Sequence, residues 1–220
     1  MSDGPSSIYS QAYHAAHLTQ EPSRTVVWRV LARHLARFIP PHSHVLEIGA
    51  GYCDWINQTR AARKVAVDLW EEFPRYAAAD VQPLILDVGA GLPSLGRAQF
   101  DAVLASNLLE HFDPDRAASV AADVAALLRP GGRFIIVQPN FRYAYRSYFD
   151  DYTHRAVFTD VSLPNLLRAQ GLRIEEVRPR FMPYSMRESR LPIKPWLIEA
   201  YLRSPLKPLA GQMLVVAQKV

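Results

Sequence analysis

Five short apolar runs punctuate the first 140 residues: VLEI at 45–48, VAVD at 65–68, PLILD at 83–87, FDAVLA at 100–105 and RFIIVQP at 133–139. They are brief, rich in branched residues and apolar nearly throughout, as strands buried on both faces are. Helical stretches separate them. Val27, Leu31, Leu35 and Phe38 recur at helical spacing before Pro40 and Pro41 end the pattern. Residues 54–62 read as a second helix. Asp113 is placed as an N-cap with Pro114 at the first helical position, and Ala117, Val120, Val124, Leu127 and Leu128 share one face behind them. Pro130-Gly131-Gly132 is the expected stop. A further helix is predicted over 162–170 with Gly171 after it, and LRIEEVRP and QMLVVAQK read as two final strands. This alternation folds into an α/β architecture, an open and largely parallel sheet with helices on both faces.

The chain has 220 residues, enough for one domain with a sizeable core. We expect a single domain over 1–220, with a polar arm at 1–22. Segments 140–160 and 179–210 are expected to lie on the acceptor side or form a lid. The second of these is Pro-rich, and a short helix around Trp196–Leu202 is predicted within it. No apolar run approaches the roughly 18 residues needed to cross a bilayer. The start, MSDGPSSIYSQAYH, lacks the basic and apolar parts of a secretory signal, so a cytoplasmic location is expected. Cys53 is the one cysteine, which excludes an intrachain disulfide and a cysteine-based metal cluster; no metal ligands are predicted. The net charge of +4 is modest, and no Lys/Arg block or aromatic RNA-binding signature accompanies it, so nucleic acid is not an expected partner.

The first strand runs directly into Gly49 and Gly51. In a doubly wound sheet, ligands bind at the carboxyl ends of the strands where the strand order reverses, and a glycine there lets backbone approach a ligand closely. Alone, such a turn is also an ordinary feature. Asp68, 19 residues after Gly49, ends the next strand and is placed to accept ribose hydroxyls. Asp87 ends the third in the same way and can accept from an adenine amino group. A pyrophosphate-binding turn usually has a third glycine three residues after the second; here that residue is Asp54. An acidic surround of Glu47, Asp54, Asp68 and Asp87 suits a cation better than a diphosphate.

With those residues in view, the chain resembles the class I S-adenosylmethionine-dependent methyltransferases. VLEIGAGYC resembles the first motif of the family, VAVD the second, LILDV at 84–88 the adenine-binding turn, FDAVLASNLLEHF the fourth-strand motif and LLRPGGRFIIVQPN the helix-turn-strand before the acceptor region. The resemblance implies a Rossmann-like sheet of about seven strands, mostly parallel with an antiparallel last strand, and S-adenosyl-L-methionine as cofactor. It implies Glu47, Gly49, Ala50 and Gly51 at the methionine end and ribose, Asp68 and Leu69 at the ribose and adenine, Asp87 and Val88 at the adenine edge, and Asn107 and Leu108 beneath the cofactor. Tyr13 resembles an N-terminal aromatic that closes over it. The third glycine of the first motif is replaced by Cys53, read here as a packing residue in a slightly tighter loop.

Methyl transfer aligns an acceptor opposite the sulfonium and excludes water; a hydroxyl acceptor also benefits from a general base. His111, in LLEHF, is one candidate base, although it reads more readily as a loop histidine bonded to backbone. The stretch 140–158 holds seven aromatics together with Arg142, Arg146, Asp150, Asp151, His154 and Arg155. It reads either as a pocket wall or as a packed surface segment. His154 is the favoured base, with Asp151 as its orienting partner or as the base itself. The three arginines point to an anionic acceptor or are simply solvated. The aromatic and Pro-rich segments resemble a bacterial subgroup linked to sugar and polysaccharide modification, so a small-molecule or glycan acceptor, methylated at oxygen, is expected. Peripheral contact with a membrane, a lid and a dimer contact are all open for 179–208, and the chain is expected to be a monomer or homodimer. The alternatives are a non-catalytic S-adenosylmethionine-binding module, a nicotinamide-dependent oxidoreductase and a nucleic-acid methyltransferase.

Overall fold

The computed structural model describes residues 22–183 and 193–220. Tyr13, the arm 1–21 and residues 184–192 of the Pro-rich stretch lie outside it. Helix α1 (Pro22–Leu35) tightens into a 3₁₀ turn over Ala36–Phe38 and leads to β1 (His44–Ile48). β2 (Arg63–Asp68) and β3 (Val81–Ile85) follow, then the short helix α2 (Val88–Gly91), β4 (Phe100–Ser106) and α3 (Pro114–Leu127). The remaining elements are β5 (Leu128–Pro139), the one-turn α4 (Phe141–Ala144), α5 (Ser162–Ala169), β6 (Leu172–Pro183), α6 (Pro195–Arg203) and β7 (Ala210–Lys219).

The seven strands form one sheet in the order β3-β2-β1-β4-β5-β7-β6. β1 to β5 are mutually parallel where they pair, and β7 runs antiparallel to both β5 and β6. The expected architecture is therefore the observed one, except that the PLIL run is not buried on both faces: β3 lies at the edge of the sheet and Ile85 is exposed. Strand residues alternate between two cores because successive side chains point to opposite faces. Leu46, Ile48, Val65, Val67, Val103, Phe134 and Ile136 pack with α3 and α5 residues such as Val120, Val124, Leu163 and Leu167. Val45, Ala66, Ala102, Leu104, Ile135 and Val137 pack on the other side with Val30, Leu31 and Leu35 of α1 and Ile198 and Leu202 of α6. No helix among the described residues is long and apolar enough to cross a membrane.

The helix expected over 54–62 is absent. That stretch is a series of turns ending in a single 3₁₀ turn, Ile56–Gln58. Cys53 sits at φ +56°, outside the helical region, and the Ile56 amide donates to the Glu47 carboxylate at 3.0 Å. Asn57 bonds the backbone of Tyr76 and Ala78 at 2.7 and 2.9 Å. Tertiary partners have taken the groups a helix would use. Pro130-Gly131-Gly132 also does not follow the helix directly: α3 ends at Leu127, and these residues lie within β5, where the register shifts between Phe100 and Ala102 of β4. Asp113 caps α3 as expected, accepting from the Arg116 amide at 2.9 Å.

A half-buried histidine of α1 contributes to the fold's sensitivity to acid. His34 of α1 packs its ring against Phe181 at 5.8 Å, and its Nε2 is buried without a partner. Burial, helped by Arg37, Arg178 and Lys207 and opposed by Glu176, lowers its pKa from 6.5 to about 4. Between those two values the unfolded chain binds a proton that the folded chain rejects, so stability falls as pH drops from 6.5 towards 4. His34→Gln is expected to flatten part of that decline in melting temperature, measured from pH 7 down to 4.5.

Candidate active site

The strand order reverses between β1 and β4, so the turns after Ile48 and Ser106 lie side by side at the carboxyl end of the sheet. Gly49, Gly51, Cys53 and Asn107 all adopt left-handed φ angles, from +48° to +66°. A Cβ on Gly49 would lie 2.8 Å from Leu108 Cδ1. Glycine is therefore required at 49 by both backbone and space, and Cys53 occupies a conformation that favours glycine. Gly49→Ala is expected to cost about 1–2 kcal/mol for the left-handed backbone. For a chain of this size that is a fall of about 2–8 °C in Tm, checked by scanning calorimetry.

Asp68 ties the turn to the end of β2. One carboxylate oxygen accepts the Gly51 amide at 2.7 Å and the other accepts the Trp70 amide at 2.9 Å. Each oxygen has a further lone pair, so hydroxyl donors can still be accommodated. Glu47 is buried, and burial drives its pKa well above the usual carboxylate range, an effect the Ile56 amide only partly offsets. Burial likewise raises Asp54, which is paired with Arg24 of α1 at 2.8 Å. The acidic surround is thus softened: Asp54 already has a counter-ion, and Glu47 resists ionisation until a cation is near. Asp87 caps α2 by accepting from the Gly89 amide at 2.8 Å, and its other oxygen is 3.6 Å from Arg116. The Val88 side chain is in the core, Ala50 is buried and Leu69 is exposed. Beyond Asp68, Trp70 stacks on Tyr76 at 5.3 Å while Tyr52 meets both edge-on. This aromatic corner escaped sequence reasoning. Its only signal was that Tyr52, Trp70 and Tyr76 are among five large rings in the 25 residues after the glycine turn.

The three candidate proton-handling residues come together. His111 ends a 3₁₀ turn, Leu109–His111, three residues after Leu108, the side chain that packs over Gly49. His111 Nδ1 lies 2.9 Å from the Thr153 hydroxyl, which in turn donates to Asp151 Oδ1 at 2.6 Å. The Thr153 amide donates to the same oxygen at 3.0 Å. His154 Nε2 is 4.0 Å from Asp151 Oδ2, and the two imidazole centroids are 4.9 Å apart. Burial opposes ionisation of Asp151, but the Thr153 hydroxyl and amide outweigh it and hold its pKa below the usual value. Burial and the neighbouring His154 lower His111 to about 4; burial lowers His154 too. Both rings are therefore neutral near pH 7, and the carboxylate is charged. Of the three, His154 is the most enclosed, its side chain 3% exposed against 19% for Asp151. Thr153 and the fully buried Glu110 complete the cluster, and neither was singled out from the sequence. Burial pushes Glu110 up to about 8; the nearby amides of Glu110 and Leu108 offset this in part without closing a hydrogen bond to either oxygen.

The aromatic segment divides. Tyr148 and Phe158 are buried, Tyr148 donating to the Ala156 carbonyl at 2.6 Å, whereas Tyr143, Tyr145, Phe149 and Tyr152 are exposed. Arg142 pairs with Asp160 at 3.1 Å, and Arg146 lies over the Tyr145 ring.

Comparison with known proteins agrees with this geometry. A family described as a methyltransferase domain matches residues 20–177, and the chain belongs to that family. Its class is that of the S-adenosylmethionine-dependent methyltransferases, enzymes that take S-adenosylmethionine as cofactor. Among solved structures, a SAM-dependent methyltransferase from Archaeoglobus fulgidus is 20% identical, with a TM-score of 0.63 over 87% of this chain and 94% of its own. One from Mesorhizobium loti is 18% identical, with a TM-score of 0.62 over 84% and 96%. The 1,6-didemethyltoxoflavin-N1-methyltransferase of Burkholderia thailandensis, with 1,6-didemethyltoxoflavin and S-adenosylhomocysteine bound, is 24% identical, with a TM-score of 0.60 over 95% and 84%. At these identities the likeness is one of fold. No curated protein matches the chain. The donor set fits an adenosyl sulfonium: a glycine cradle held open at Gly49, a carboxylate with lone pairs to spare at Asp68, and a buried acid at Glu47 that gains from a nearby positive charge.

Proposed function

We propose that this methyltransferase transfers a methyl group to a hydroxyl oxygen of a small molecule or glycan, with Asp151 taking the acceptor's proton. The observation that carries the reading is the Asp151–Thr153–His111 chain of hydrogen bonds, joined through Leu108 to the glycine turn. The cofactor supplies a methyl group already activated by the sulfonium. Gly49, Ala50 and Gly51 form the cradle for its methionine end and ribose, with Glu47 facing the positive charge. Asp68 accepts the ribose hydroxyls, Leu69 flanks the adenine, Asp87 and the Val88 backbone meet its edge, and Asn107 and Leu108 lie beneath. Asp151 is charged and partly exposed, and the Thr153 amide and hydroxyl hold its Oδ1, which orients the carboxylate. His111 and His154 keep that carboxylate in place and keep water out.

The chain acts as one domain, with exposed Tyr143, Tyr145, Phe149 and Tyr152 offering flat faces to an acceptor ring. The Burkholderia enzyme, an N1-methyltransferase with 1,6-didemethyltoxoflavin and S-adenosylhomocysteine bound, supports a small-molecule acceptor. The test is transfer of label from S-adenosyl-[methyl-³H]methionine to a panel of phenols, sugars, sugar nucleotides and amines. Labelling of a hydroxyl compound is expected. Labelling confined to amines would replace the oxygen assignment with nitrogen.

A further inference from the structure

Glu110 is fully buried, yet neither of its carboxylate oxygens has a hydrogen-bond partner. That arrangement is costly in either protonation state. Ionised, the group is an uncompensated buried charge; protonated, it is a hydroxyl with no acceptor. The residue is not loosely held. Its carbonyl accepts the Arg155 amide at 2.8 Å and the Ala156 amide at 3.1 Å, which fastens the segment carrying His154 against it. A second unpaired atom lies in the same cluster: Nδ1 of His154, on a side chain 3% exposed. One ligand-capable atom from each of Glu110, His111 and His154 lies within 4.8 Å of the other two.

We propose that Glu110, His111 and His154 bind a divalent first-row metal ion of the zinc class. Three atoms no more than 4.8 Å apart share a point no farther than about 2.8 Å from each, so side-chain shifts of under about 1 Å reach the 2.0–2.2 Å of zinc–nitrogen and zinc–oxygen bonds. The hydrogen bonds orient the rings for this. The Thr153 hydroxyl gives its proton to Asp151 and its oxygen meets His111 Nδ1, which fixes the orientation of that ring. Asp151 faces Nε2 of His154, which favours the proton there and puts that ring's lone pair at the unpaired Nδ1. A carboxylate behind metal-binding imidazoles is the usual support for such a site. Two imidazoles and one carboxylate, with a position left for an oxygen, suit zinc and its transition-metal neighbours rather than magnesium or calcium, which prefer all-oxygen shells. The ion would supply the positive charge that Glu110 lacks and fix the turn Leu109–His111 to the segment 151–156. In sequence the set is an adjacent Glu–His pair and a histidine 43 residues further on, a spacing with no motif to announce it.

The inference does not depend on the acceptor proposed above, because its test reads metal binding directly. The full chain, freed of metal by dialysis against chelator, is titrated with Zn²⁺ by calorimetry and with Co²⁺ by visible absorption, with Mg²⁺ as control. One equivalent of Zn²⁺ or Co²⁺ is expected per chain, with ligand-field bands for Co²⁺ and a higher Tm with Zn²⁺. Glu110→Gln and His154→Gln are each expected to weaken binding by roughly a hundredfold or more, beyond the tenfold to hundredfold typical of losing a partner behind a ligand. His111→Gln stands in if either variant does not fold. A chain that binds S-adenosylhomocysteine but no stoichiometric Zn²⁺ or Co²⁺ overturns the metal site and leaves the methyltransferase account intact. Binding that survives the substitutions overturns it as well.

Discussion

Asp68→Ala is expected to weaken S-adenosylhomocysteine binding by roughly tenfold to a hundredfold. A hydrogen bond to a charged group contributes about 1.5–3 kcal/mol, and each 1.4 kcal/mol is a factor of ten in affinity. The upper part of that range is favoured by what Asp68 already does. Its two oxygens hold the amides of Gly51 and Trp70, so the carboxylate both meets the ligand and shapes the turn around it. Asp68→Asn keeps one oxygen acceptor and should fall between wild type and alanine. The readout is calorimetric titration on variants whose melting curves remain cooperative. A folded Asp68→Ala protein with unchanged affinity would remove this residue from the cofactor site.

Asp151→Asn is expected to lower kcat by roughly a hundredfold or more, the usual contribution of a positioned proton acceptor. Asparagine can still accept the Thr153 amide and hydroxyl through its one oxygen, so the hydrogen-bonded chain to His111 survives while the basic carboxylate is lost. The cofactor turn is not touched, and the dissociation constant of S-adenosylhomocysteine should stay within about twofold of wild type. That split between turnover and binding separates a proton-handling role from a structural one. Full activity in Asp151→Asn would assign Asp151 to holding Thr153 and nothing more.

β1, β2, β4 and the second half of β5 were readable from local pattern because their apolar runs are buried on both faces and leave little ambiguity of period; β3 was readable from composition alone, since it is an edge strand with Ile85 exposed. The cap at Asp113 was readable for a local reason too, an acid followed by proline at the first helical position. Residues 54–62 were not, since the features that prevent a helix there are contacts with Glu47, Tyr76 and Ala78, brought near only by the fold. The first-motif glycines predicted a special backbone correctly, and Cys53 shares it at φ +56° although its side chain gives no hint of this. Asp54 reads in the sequence as an available negative charge, but in the fold Arg24, 30 residues earlier, pairs with it. His111, Asp151 and His154 were each visible as candidates. Their union was not: it requires β4 and β5 to lie side by side so that the turns leaving them meet. Glu110 and Thr153 carried no signal, because a buried acid and a threonine bridging two candidate residues declare themselves only by what surrounds them.

The central claim is that the turn between β1 and the Cys53 loop is an S-adenosylmethionine site. It is tested most directly by calorimetric titration of the purified chain with S-adenosylmethionine and S-adenosylhomocysteine, with NADH as control. Saturable binding of both adenosyl compounds at one per chain, and none of NADH, is the predicted result. Binding of NADH with no binding of either adenosyl compound would contradict the account.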